Sequence, residues 1–240
     1  MWGKLTAALR EFGIVSGLLY VADRALRALS PRCGLYVYEL MCQPIDGKPI
    51  LPERMGRNIA FRMIGCDDAD VARMPARPDI VAARYDSGAL CLGVERKGAL
   101  LGYIWLSLAD YAEDEVRCTY GLPGGGAAAF DFDLYLFPEH RMGTGFAAVW
   151  HAANEYLHGI GVRGSYSRMT RFNLPSRRSH LRMGSRIVGR ALFVQLWQLE
   201  MMVATVRPIF SVTWGARSRR PRLRLPGLPA SPQAAARQAT

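Results

Sequence analysis

The chain has 240 residues, half of them apolar, and a formal net charge of +11. That length and apolar share suffice for a buried core and favour one domain with appendages over two domains, while the charge points to polyanionic partners such as nucleic acid, anionic lipid or a phosphorylated cofactor. Cys33, Cys42, Cys66, Cys91 and Cys118 form no C-x-x-C pair and lie in no histidine pattern, so they signal neither a zinc site nor a disulfide framework and fit a reducing compartment.

In chain order, Leu5, Ala8, Leu9, Phe12, Val15, Leu18, Leu19, Ala22, Leu26 and Leu29 recur at helical spacing, which predicts an amphipathic helix over residues 1–30 ended by Pro31. Its uncharged part is too short to span a bilayer, and no small-residue cleavage site follows, so a cytoplasmic protein is expected. Two placements are open for this helix: packed on the domain, or lying in an anionic membrane interface with Trp2, Phe12 and Tyr20 as anchors. Residues 31–212 read as one mixed domain. A strand over Leu35–Leu40 leads into a strand and short acidic helix, a helix ending near Gly88, and a hairpin across Lys97-Gly98. A strand over Asp114–Leu122 follows, then an alternating strand up to Phe137, a helix from Phe146 stopped at Gly159, a strand, a short helix from Asn173, and the last strands up to Val206. From Arg207 on, seven arginines without an acid carry seven of the eleven excess charges, and residues 213–240 read as a disordered basic tail.

The stretch DFDLYLFPEHRMGTGFAAVW, residues 131–150, stops an apolar alternation at Pro138 and places glycines before a helix. Glycines let a ligand approach the backbone, and the first amides of a helix have no internal partner, so this turn reads as an anion cradle with Arg141 adding charge; the alternative is a plain tight connection.

HRMGTG, from His140 to Gly145, resembles the Q/R-x-x-G-x-G/A acyl-CoA loop of the GNAT superfamily of N-acetyltransferases. His140 stands where that motif has Gln or Arg; either Arg141 supplies the charge or the register shifts by one. NLPSRRSHLRMG, from Asn173 to Gly184, resembles the N-x-x-S/A-x-x-x-Y/H-x-x-x-G pattern of the superfamily's last helix, with Ser185 in place of the usual Phe. The resemblance implies an α/β (α+β) fold with a mostly antiparallel central sheet flanked by helices. It implies acetyl-CoA or another acyl-CoA as cofactor, held by Leu136, Phe137, Arg141, Met142, Gly143, Thr144, Gly145, Phe146, Asn173 and Ser176. A backbone N–H near Leu136 or Phe137 would polarise the thioester carbonyl. His180 falls where relatives carry the acid that protonates the leaving thiolate.

The base that deprotonates an amine acceptor is sought in Asp131 and Asp133, which share one face of the strand because side chains alternate with period two, with Glu115 as the other candidate. No metal site is expected. The function expected is acyl-CoA-dependent N-acyl transfer to an amine, with the N-terminal helix and arginine tail as a possible pair of signals for peripheral attachment to an anionic membrane. The alternatives are a catalytically silent acyl-CoA-binding or regulatory protein and, last, a nucleic-acid-binding protein, since the tail lacks interleaved aromatics and a recognition motif.

Overall fold

The computed structural model describes residues 13–228. Its helices are α1 (Ile14–Leu29), α2 (Glu53–Gly56), α3 (Pro78–Asp86), α4 (Gly145–Gly159) and α5 (Leu174–Arg182). The strands are β1 (Cys33–Pro44), β2 (Ile59–Ile64), β3 (Leu90–Arg96), β4 (Ala99–Ser107), β5 (Tyr111–Ala112) and β6 (Thr119–Gly121), then β7 (Ala128–Leu136), β8 (Gly164–Thr170), β9 (Arg186–Leu196), β10 (Leu199–Ala204), β11 (Phe210–Trp214) and β12 (Arg222–Arg224). The chain divides into two compact units of non-contiguous segments: described residues 13–43, 110–123 and 167–228 form the first, and 44–109 and 124–166 the second. The sequence pattern, read as one domain over 31–212, does not show this division, because each unit gathers segments far apart in the chain.

The first unit carries the antiparallel strand order β11-β10-β9-β1 and a small sheet in the order β12-β6-β5. Helix α1 is fastened to it by Asp23, whose buried carboxylate accepts from the Leu35 backbone N–H at 2.9 Å and pairs with Arg27 at 2.8 Å. Tyr20 meets Phe172 edge-on at 5.4 Å. The described part of the N-terminal helix is therefore packed on its unit; the part of the predicted helix before residue 13, with Trp2 and Phe12, lies outside the described residues.

The basic tail is corrected up to residue 228. Thr213 and Trp214 complete β11, and Arg222–Arg224 pair in parallel with β6, with Leu223 and Leu225 buried. Arg222 forms an ion pair with Asp110, and Arg220 donates to the Glu113 carbonyl at 2.7 Å. The alternation Arg222-Leu223-Arg224-Leu225 has the period of a strand, and a reading by charge alone passes over it. Within the predicted strand 114–122, only Thr119–Gly121 are extended, and β5 lies before it.

The second unit orders its strands β8-β7-β4-β3-β2, with β8 entering through Gly164–Tyr166, antiparallel except for the parallel β7–β8 pair. Lys97 (φ 51°) and Gly98 (φ 79°) make the expected hairpin turn. Helix α4 turns Val149, Trp150 and Ala153 inward, and these are buried along with Tyr103, Ile104 and Trp105 of β4. Both units are thus helix-flanked, mostly antiparallel sheets, the α/β class expected.

Candidate functional site

The turn between β7 and α4 is built by local necessity. Pro138 opens a single 3-10 turn, closed by the His140 N–H on the Phe137 carbonyl at 2.8 Å. Gly143 sits at φ +83°, a conformation that costs a side-chain-bearing residue strain. A Cβ on Gly145 would lie 2.3 Å from the His140 carbonyl oxygen, so glycine is required there. Thr144 is the N-cap residue of α4, yet its side chain does not cap the helix; its hydroxyl accepts from Arg96 Nη2 at 3.0 Å. The start of α4 thus has no side-chain cap and a guanidinium beside it, and uncapped first-turn amides with a cation nearby suit phosphate oxygens.

Arg96 is the residue that sequence reasoning missed: it ends β3, and only the packing of the sheet brings it to Thr144. Arg141, expected to supply the cradle's charge, instead donates from Nε to the Leu136 carbonyl at 3.1 Å with its guanidinium 5.4 Å from the Tyr135 ring centre. Met142 is exposed at the tip, and Phe146 lies in the first turn of α4.

Strand pairing distinguishes the Phe137 and Leu136 amides. The Phe137 N–H donates to the Leu101 carbonyl at 3.0 Å. Because bonded and non-bonded pairs alternate along antiparallel strands, the neighbouring Gly102–Leu136 pair turns the Leu136 N–H to the opposite edge of β7. On that edge the register with β8 covers only Ala128–Phe130 against Gly164–Tyr166.

The expectation that Asp131 and Asp133 share a face is overturned. Trp105 pairs with Phe132 but Tyr103 with Tyr135, so β7 carries one extra residue, and Asp133 adopts φ +53° at this bulge. Asp131 is buried and accepts from the Ser165 hydroxyl at 2.5 Å. Asp133 is exposed and ion-paired with Arg84, whose guanidinium also lies 5.3 Å from the ring centres of Trp105 and Phe132.

The remaining candidates belong to the first unit. Asn173 caps α5, its side-chain oxygen accepting from the Ser176 N–H at 3.3 Å. Ser185 donates to Gln43, whose amide donates to the Met183 carbonyl at 3.0 Å, so a hydroxyl here ties the end of α5 to β1. Glu115 accepts from the Tyr38 hydroxyl at 2.6 Å and pairs with Arg168 at 3.0 Å. His180 is buried, and burial lowers its pKa from 6.5 to about 4, so the imidazole is neutral at physiological pH. Among the described residues, no group of His, Cys, Asp and Glu has a metal-holding arrangement.

This burial makes a stability prediction. The folded pKa lies below the unfolded one, so the stabilisation is complete above about pH 6.5 and is lost as the pH falls toward about 4, where the unfolded chain takes up a proton that the folded one refuses. We expect a loss of about 3 kcal/mol over that window, and His180→Gln to flatten it in urea unfolding curves at pH 7.5 and 4.5. An unchanged slope in the variant would place the loss on other groups.

No family model matches the chain, and no curated protein matches it. Solved structures do. A conserved protein of unknown function from Staphylococcus epidermidis is 13% identical, with a TM-score of 0.50 over 72% of this chain and 66% of that one. A tandem GNAT protein from the clavulanic acid biosynthesis pathway is 16% identical, with a TM-score of 0.46 over 68% of this chain and 53% of that one. A GCN5-related N-acetyltransferase from Kribbella flavida is 12% identical, with a TM-score of 0.39 over 75% and 63%. The chain spans about half to two thirds of the length of these structures. At such identities the likeness concerns the fold alone.

Proposed function

We propose that this chain is an acyl-CoA-dependent N-acyltransferase, most simply an acetyltransferase, that passes the acyl group directly from the thioester to an amine. The observation that carries the reading is the start of α4, where Gly145 admits no side chain and Arg96 stands beside amides that Thr144 leaves uncapped. The diphosphate of an acyl-CoA suits that end. The Leu136 N–H, turned away from β4, is the donor for the thioester oxygen as negative charge develops there.

In the reaction the amine nitrogen attacks the thioester carbon, the C–S bond breaks, and the amine gives up a proton. Asp131 is assigned the base: it is buried on β7, the strand that also carries the Leu136 N–H, and accepts from the Ser165 hydroxyl, while Asp133 and Glu115 are ion-paired with Arg84 and Arg168. A thiol free in water, with a pKa of about 8.5 for cysteine, is acidic enough for CoA to depart as thiolate without an imidazolium. His180, neutral and buried, is then a packing residue.

The test is thiol release from acetyl-CoA against a panel of amines. Asp131→Asn should lower kcat about 100-fold with acetyl-CoA affinity retained, while Glu115→Gln and His180→Gln stay within a few-fold of wild type. If the wild type binds acyl-CoA but releases no thiol with any amine class, the silent-binder reading replaces this one.

A further inference from the structure

The register of β10 with β11 pairs Val203 with Phe210, Met201 with Val212 and Leu199 with Trp214, so six apolar side chains share one face of the sheet. The β9 residues aligned with them, Leu192, Val194 and Leu196, continue that face. Its β10–β11 part lies open to solvent, with Val203 51% exposed, Phe210 60%, Val212 52% and Trp214 67%, while Leu192, Val194 and Leu196 are half-buried. Burial on this face begins at β1, where Leu35 and Val37 align with Val194 and Leu192; on the opposite face Phe193, Met202, Ala204 and Thr213 are buried. A second exposed tryptophan, Trp197, occupies the β9–β10 turn. A contiguous apolar patch of this kind marks an interaction surface.

Charge says what covers it. The described residues of this unit include seventeen arginines and seven acids, and four of those acids, Asp23, Glu39, Glu113 and Glu200, are buried. Arg207, Arg217 and Arg219 flank β11 and are exposed, as is Arg190 on β9. Trp197 and Trp214 also border an open cavity of about 680 Å³, with Arg32, Arg217 and Arg220 on its wall alongside Asp114 and Glu115. The second unit, by contrast, has acids and bases in near balance. Like charge opposes a second copy of the same unit on this face, and an apolar sheet offers nothing to the polar groove of a nucleic acid. Tryptophan and arginine around an apolar centre match the boundary between lipid headgroups and acyl chains.

We propose that the open β9–β10–β11 face docks the protein peripherally on an anionic membrane, with Val203, Phe210, Val212 and Trp214 entering the acyl boundary and the flanking arginines meeting headgroup phosphates. No described helix is long and apolar enough to cross a bilayer. The inference uses different residues from the acyl-CoA site and stands or falls separately from it.

The test is co-sedimentation of the full chain with vesicles of phosphatidylcholine alone and with added phosphatidylglycerol, at low and high salt. Binding is expected only with the anionic lipid and should weaken with salt. Val212→Glu/Trp214→Glu should lower partitioning at least about tenfold, and Arg217→Ala/Arg219→Ala, which leaves the sheet untouched, should lower it too. Bromine-labelled acyl chains should quench wild-type tryptophan fluorescence more than that of Trp197→Phe/Trp214→Phe. No binding to anionic vesicles at low salt overturns the proposal. So does a dimer, seen by light scattering, that the Val212→Glu/Trp214→Glu variant converts to monomer, since the face would then belong to a second copy.

Discussion

Replacing Arg168 by methionine should destabilise the protein by about 3–5 kcal/mol, the usual cost of leaving a buried charge without its partner. The Glu113 side chain is fully buried and takes two parallel hydrogen bonds from Arg168, both 2.8 Å, in the bidentate geometry that makes such pairs strong. The same carboxylate accepts from the backbone N–H groups of Asp114 and Glu115 at 3.1 and 3.3 Å, so it organises the turn between β5 and β6. Arg168 also reaches Glu115 and stacks over Tyr38 at 5.0 Å. Burial and the nearby carboxylates push the Tyr38 hydroxyl far up, so it stays protonated and donates to Glu115. Urea unfolding at neutral pH checks the prediction. Glu113→Gln/Arg168→Met should cost less than Arg168→Met alone, because no bare charge is left; a single-variant loss under about 1 kcal/mol would mean that the pair behaves as a surface ion pair.

Gly145→Asp should abolish detectable acetyl-CoA binding, a loss of about 100-fold or more. The new Cβ meets the His140 carbonyl at 2.3 Å, which forces the loop from its path, and the carboxylate adds negative charge where phosphate oxygens are expected. Ligand-induced stabilisation reads this directly: acetyl-CoA should raise the melting temperature of the wild type and not of the variant. Gly124→Asp is the control, since a side chain there meets nothing within 4 Å; it should keep the wild-type shift. An equal shift in Gly145→Asp would remove the start of α4 from the cofactor site.

These predictions rest on features of unequal legibility. Helices α4 and α5 could be read as a helix from Phe146 stopped at Gly159 and a short helix from Asn173, because these signals are local. The β3–β4 hairpin was equally plain in Lys97-Gly98. The glycine turn before a helix was legible, but not which guanidinium stands beside it: Arg141, adjacent in sequence, folds back on Leu136, and Arg96 arrives from another strand. The bulge at Asp133 was invisible, since FDFDLYL alternates perfectly on paper and the extra residue exists only relative to β4. Charge misled at the C-terminus, where Leu223 and Leu225 bury themselves between arginines that bond elsewhere. The burial of His180, which lowers its pKa, was likewise not legible, because it depends on packing around α5 and not on the motif spacing.

Isothermal titration of the wild-type chain with acetyl-CoA and with CoA tests the proposed acyl-CoA site most directly. Saturable binding of both at one site per chain is expected. A well-folded protein that binds neither, nor any longer acyl-CoA, would contradict it.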